Sequence, residues 1–258
     1  GLMLIERHRK RVMLTPAGEA LISRARAVLR AADDFEDAAK ALSEPLSGDF
    51  HLGLIPTISP YLLPHIMGPL GAELPKVNFY LHENQTHVLL QELDEGKLDV
   101  VILSWLDSIE NVERYNLYSE PLVLAAPRDQ PLAKLSEASL KDLDGQLVLT
   151  LEDGHCLRDE TLDYCFTAGA REDQRFQATS LETLRYMVAS GLGITLMPQL
   201  AVRSADEEQG LHYVPFGSPP PSREICLLVR PNYSRMEAVR AMVACIRHAM
   251  SPLPQPQA

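Results

Sequence analysis

At 258 residues, with 46% hydrophobic and 23% charged side chains, the chain has the composition of ordinary globular protein and room for one large or two medium domains. No apolar run approaches the roughly 20 residues of a membrane helix, and the opening GLMLIERHRKRVMLTPAGEA carries no signal-peptide cleavage site, so the chain is read as cytoplasmic with no membrane partner. The 24 Lys and Arg against 35 Asp and Glu give a net charge of -11, which excludes most of the surface from contact with a phosphate backbone.

The exception is local, because Arg7, Arg9, Lys10 and Arg11 crowd the N-terminus around His8. Thr15 followed by Pro16 is a helix start: Thr can cap orphan N–H groups, and Pro is tolerated at the first helical position. From there Leu21, Ala25, Val28, Ala32, Phe35, Ala39 and Leu42 recur at alternating steps of four and three. That is the seam of a coiled coil, and it predicts a helix from Pro16 to Leu42 that pairs with a second copy; the alternative is a helix lying on its own domain.

After the short linker EPLSGD the pattern changes to alternating strands and helices. FHLGLIPT reads as a strand, SPYLLPHIMGPLGAEL as a helix capped by Ser59 with Pro60 next, and KVNFYLHEN as a strand. THVLLQELDEGK then reads as a helix and LDVVILS as a strand. The order βαβαβ predicts a mostly parallel sheet with covered faces. A second unit follows from LYSEPLVLAAP through QLVLTLE, the helical LRDETLDYCFTAGA, RFQATS, SLETLRYMVASG, GITLMP and LHYVPF. In it Thr179 and Glu182 form a candidate capping box, and Gly191 and Gly193 close the helix. The closing strand REICLLVRP and the amphipathic helix SRMEAVRAMVACIRHAM have the form to complete the first sheet. The fold class expected is therefore α/β: two subdomains joined by crossing segments near Tyr118 to Pro121 and near Ser222 to Ile225, with a polar, disordered C-terminal tail.

Four cysteines, Cys156, Cys165, Cys226 and Cys245, are too sparse for a secreted disulfide scaffold, and no spacing suggests a metal or cofactor. Cys226 in an apolar strand and Cys245 on the apolar face of the last helix read as structural. The informative segment is EDGHCLRDETLDYCF. Cys156 lies at the start of a predicted helix, where the macrodipole favours an anion, and His155 and Arg158 add candidate donors; both effects predict a thiolate. A thiolate attacks peroxide to give sulfenic acid, which a second thiol can condense to a disulfide. Cys165, nine positions on, is the candidate second thiol. A continuous helix would separate the two Cα atoms by about 13 Å, against the roughly 4.4 to 6.8 Å a disulfide requires, so bonding must unwind the helix and expose some of Leu157, Leu162, Tyr164 and Phe166. The bland alternative is that both thiols are buried and structural.

The segments GLMLIERHRKRVMLTPAGEAL, GLIPTISPYLLPHI, HENQTH, LEDGHCLRD with its second Cys, and ATSLETLRYMVASGLGITLMP resemble the peroxide-sensing subfamily of the LysR-type transcriptional regulators over nearly the whole chain. The resemblance implies two Rossmann-like subdomains of the periplasmic-binding-protein kind. Residues 1–14 would end a winged helix-turn-helix domain and 15–43 would form the dimerisation helix. Residues 48–119 with 226–251 would make one regulatory subdomain and 120–225 the second, which carries the redox site. It implies Cys156 as the peroxidatic and Cys165 as the resolving cysteine, with Thr57, Thr86, Gly154, His155, Leu157 and Asp159 around the peroxide and its water. Arg158 is a supporting residue, and Arg223 and Arg230 are lesser candidates. The family's recognition helix is not in this sequence, so DNA would be bound through an N-terminal domain outside it. Further partners implied are hydrogen peroxide, a second copy in a dimer or tetramer, RNA polymerase, and a reductant of the glutaredoxin or thioredoxin type. The rival readings are a LysR-type metabolite-binding regulator without redox switching, and a thiol peroxidase; the latter leaves the coiled-coil helix and basic wing without a purpose.

Overall fold

The computed structural model describes residues 1–8 and 11–251. Arg9, Lys10 and the tail expected at the C-terminus lie outside the described residues, as do the side chains of His8 and Leu42. Strands β1 (Ile5–His8) and β2 (Arg11–Leu14) form an antiparallel hairpin that leads into helix α1 (Pro16–Ser43). The Thr15 hydroxyl accepts from the Gly18 backbone N–H at 3.0 Å, capping α1 where the sequence placed its start. On the seam Leu21, Val28 and Phe35 are exposed, Phe35 at 75%. An Arg26–Glu95 ion pair at 2.7 Å ties the helix to the body that follows.

That body has two apolar cores. The first is built by β3 (Ser47–Leu54), α2 (Ser59–Glu73), β4 (Lys76–Glu83), α3 (Thr86–Asp94), β5 (Val100–Ser104), β11 (Ser222–Val229) and α6 (Met236–Met250). Strand β3 pairs in parallel with β4 and β5, as alternating strands and helices dictate, but β11 joins β5 antiparallel, so the sheet is mixed. Helix α2 holds two interior prolines, Pro64 and Pro69. Each removes a backbone hydrogen bond, and the helix survives because Leu62, Ile66 and Leu70 bury one stripe, each contributing about 1.5 to 3 kcal/mol. Ser59 does not cap it. The turn already begins at Ile55, whose carbonyl accepts from Ile58 and Ser59, so the cap position falls on Ile58 and Ser59 is inside the helix.

The second core lies under β6 (Glu113–Pro127), β7 (Leu147–Leu151), α4 (Cys156–Thr167), β8 (Arg171–Ala178), α5 (Leu181–Ala189), β9 (Thr195–Pro198) and β10 (Leu211–Val214). Strand β6 serves both: Leu117 packs in the first core and Leu122 to Ala126 in the second. It runs beside β11 with Ser222 opposite Pro121, and their register shifts between Ile225 and Cys226. Helix α5 starts one residue later than the proposed capping box. Ser180 is the cap, accepting from Thr183 N–H at 3.2 Å, which leaves Thr179 outside and turns Glu182 toward other partners. Gly191, at φ +86°, closes α5 in the left-handed conformation that glycine tolerates. Among the described residues no helix is long and apolar enough to cross a membrane.

Candidate functional site

The first residues of α3 and α4 meet. Gly154 adopts φ +95° in the turn before α4, and a Cβ there would lie 2.6 Å from Gln85 Oε1, so glycine is what lets the turn close against the start of α3. Gln85 Nε2 returns the contact by donating to Glu152 Oε1 at 3.3 Å and to the Asp153 carbonyl at 3.4 Å. Cys156, the first residue of α4, then brings its Sγ within 2.7 Å of the Thr86 hydroxyl, the first residue of α3. A cavity of about 240 Å³ opens beside them, its lining including Thr86, Gly154, Cys156 and Asp159 together with Leu90, Leu106 and Ile109. Since a water occupies about 30 Å³ of liquid, the space admits a peroxide and several waters.

The electrostatics differ from the sequence expectation. Cys156 is 2% exposed, and burial pushes its thiol up to about 11. The Thr86 hydrogen bond and the charge of Arg223 pull it down, while Glu160 and Asp159 raise it further. The two basic groups that flank it in sequence do not supply the expected thiolate. His155 is buried and burial lowers its pKa, so it stands as a neutral ring 3.9 Å from Glu152. Arg158 spends its charge on Asp153 at 3.1 Å and Glu172 at 3.0 Å, with Asp159 at 3.8 Å. The resting sulfur is thus a thiol.

The structure gathers the other sequence candidates only in part. Thr57 is buried, and its hydroxyl and carbonyl each accept from the Arg223 guanidinium at 3.0 Å. Leu157 belongs to the second core although its neighbour Cys156 packs in the first. Cys165 is buried in that second core, and burial pushes its thiol up to about 12. All four cysteines are free. Phe166, expected to pack inward, is 53% exposed; Tyr164 is the residue that turns in, its hydroxyl donating to the Ser222 carbonyl at 3.0 Å and accepting from the Ser222 N–H at 3.3 Å. Arg230 is not at the thiol. It donates to the Leu93 and Leu98 carbonyls and lines a neighbouring cavity of about 460 Å³ that holds no cysteine.

Sequence reading named Arg223 only as a lesser candidate and missed the rest of the layer around it. Arg223, fully buried, pairs with Glu120 at 2.8 Å, and Glu160 accepts a short hydrogen bond from the Ser104 hydroxyl. Burial raises Glu160 to about 7. The signal was spacing: Glu160 follows Cys156 by four positions, which puts both on one helix face. Among the described residues no group of three or more His, Cys, Asp and Glu could hold a metal.

Residues 43–251 match the family model described as the LysR substrate binding domain. The chain is 46% identical, over 97% of its length and 82% of the relative's, to the DNA-binding transcriptional dual regulator OxyR of Escherichia coli. It is 48% identical, over 90% of its length and 77% of the relative's, to the hydrogen peroxide-inducible genes activator of Pectobacterium carotovorum. Among solved structures, the oxidised form of OxyR superposes with a TM-score of 0.75 at 48% identity, covering 81% of this chain and 99% of that one. The chain therefore belongs to the LysR-type transcriptional regulators, of the OxyR kind, and is not an enzyme.

Proposed function

We propose that the chain is the sensing part of a regulator in which hydrogen peroxide oxidises Cys156 to a sulfenic acid that Cys165 converts to an intramolecular disulfide. The observation that carries this reading is a buried free thiol, hydrogen-bonded to Thr86 across two helix N-termini and lining a small cavity, with a second free thiol on the same helix. In the first step the sulfur takes one peroxide oxygen, the O–O bond breaks, and the thiol proton and leaving hydroxide depart as water. In the second, the Cys165 sulfur displaces the sulfenic oxygen, again as water. A thiol reductant of the glutaredoxin or thioredoxin type would return both thiols. Thr86 and Gly154 are read as shaping the peroxide pocket from the front, Thr57 as supporting it through Arg223, and His155 and Leu157 as fixing the start of α4.

In this reading residues 1–14 end the DNA-binding domain, 15–43 pair protomers, 48–119 with 226–251 form one regulatory subdomain and 120–225 the second. Refolding of α4 within the 120–225 unit would respace the protomers of a dimer or tetramer on DNA and so change contact with RNA polymerase. Stoichiometric peroxide followed by mass mapping is expected to find oxidation at Cys156 first, and Cys165→Ser is expected to stop the reaction at a sulfenic acid trappable by dimedone. Oxidation at Cys226 or Cys245 ahead of Cys156 would defeat the assignment.

Asp159 lines the cavity with its side chain 58% exposed, and a carboxylate there opposes thiolate formation, so its expected role is to orient peroxide or water and not to take the thiol proton. Asp159→Asn should then oxidise about two- to tenfold more slowly, the worth of one orienting hydrogen bond, even as loss of the charge moves the pH midpoint slightly down. Parent-like rates at every pH would remove that role.

A further inference from the structure

The cluster beneath Cys156 holds more acid than base. Arg223 on β11 is matched by Glu120 on β6, so its single positive charge is already claimed once. Cys156 and Glu160 both feel that same charge. Glu160 lies one turn along α4 from Cys156, and only one of its oxygens is satisfied: the Ser104 hydroxyl on β5 donates to Oε1, while Oε2 is buried with no partner. The other groups that face this space are the Tyr118 hydroxyl, also buried and unpartnered, Thr57 and Thr86, the neutral His155, and Asp159, whose charge raises both Glu160 and Cys156. None of these adds a cation.

We propose that Glu160 is a positioning residue for the reactive sulfur: Glu160 and Cys156 compete for what remains of the Arg223 charge, so the thiolate forms readily only while Glu160 carries a proton. This deepens the reading of Cys156 as the peroxide-reactive thiol and rests on it. An unpartnered buried carboxylate oxygen is costly and favours the protonated acid, and Glu160 titrates at about 7, where the competition matters. Below that pH, ionising Cys156 releases a proton to solvent, and the thiolate population rises with pH. Above it, Glu160 is ionised first; Cys156 can then give its proton to Glu160, an exchange that releases none, and the thiolate population rises only slowly until the repulsion between the two is overcome.

The test is the rate of Cys156 alkylation by iodoacetamide against pH, with each cysteine read separately by mass mapping of the whole chain. The parent rate should climb nearly tenfold per pH unit below pH 7 and pass through a soft plateau, rising only about threefold, between pH 7 and 8. Glu160→Gln should match the parent at pH 6, climb without a plateau, and exceed it about fivefold at pH 8 for a coupling of about one pH unit. Ser104→Ala removes the hydroxyl that holds the carboxylate and should move the onset of the plateau to higher pH; it keeps the test decisive if Glu160→Gln does not fold. A parent profile that climbs straight through pH 7 to 8, or a plateau that persists in Glu160→Gln, overturns the proposal. Because no peroxide is used, failure of the peroxide reading would leave the alkylation profile intact and would be seen separately.

Discussion

Joining Cys156 to Cys165 is expected to strip hydrogen-exchange protection from residues 154–169. The two cysteines stand at opposite ends of α4, nine residues or about 13 Å apart along the axis, and a disulfide needs Cα atoms within roughly 7 Å. They also belong to different cores, so the bond must draw Cys156 out of the first or Cys165 out of the second. Either movement dislodges Leu157 and Leu162, both buried, at about 1.5 to 3 kcal/mol each. A loss of that size corresponds to exchange at least about a hundredfold faster in amides protected by α4. The same cost strains the disulfide and makes it easy to reduce, as a resettable sensor requires. Cys165→Ser, oxidised only at Cys156, should keep the protection. Equal protection in the dithiol and disulfide forms would end the unwinding mechanism even with the disulfide confirmed.

Replacing Arg223 by Met should destabilise the reduced protein by about 3 to 5 kcal/mol, because Glu120, 1% exposed, would be left as an unpaired buried charge. In a chain of this size that lowers the melting temperature by roughly 6 to 20 °C. The added Glu120→Gln change removes the stranded charge and should recover much of the loss, which a simple packing defect would not do. A melting temperature within about 2 °C of the parent would show that the pair contributes little.

Elements whose pattern is local were readable from the chain. The start of α1 at Pro16, the alternation of β3 to β5, and the helix that begins at Cys156 and carries Cys165 stand in the structure where sequence spacing put them. Helix caps slipped by a residue at Ile58 and Ser180, because several polar or turn-forming residues compete there and backbone turns decide among them. The charge state of Cys156 was not readable. Sequence places His155 and Arg158 beside it, but only the fold shows that burial neutralises one and that Asp153 and Glu172 occupy the other. Glu160, Ser104, Glu120 and Arg223 come from four different elements, and nothing short of the packed sheet shows that they meet under one sulfur. Phe166 was misassigned because Cys156, Leu157, Thr161, Leu162 and Cys165 already fill the inward arc of α4, leaving no room for a further large ring.

The pairing of β6 with β11 makes the second core, in topological terms, an insert. The chain leaves at Pro121 and returns at Ser222, and these two residues face each other across one rung of the ladder, so everything between them hangs from a two-stranded ribbon. Such a ribbon resists being stretched or sheared, since either breaks main-chain hydrogen bonds, yet it twists with little resistance. Tyr164 grips the ribbon at Ser222 from the end of α4 that carries Cys165. Away from that axis, the clasps against twist include Gln85 on Glu152 and Asp153, Thr86 on Cys156, Ser104 on Glu160, and Tyr61 on Glu182. Pulling Cys156 away from Thr86 would open a clasp and disturb the grip at the pivot in one event, so the motion that follows has one soft coordinate, a torsion of one lobe against the other.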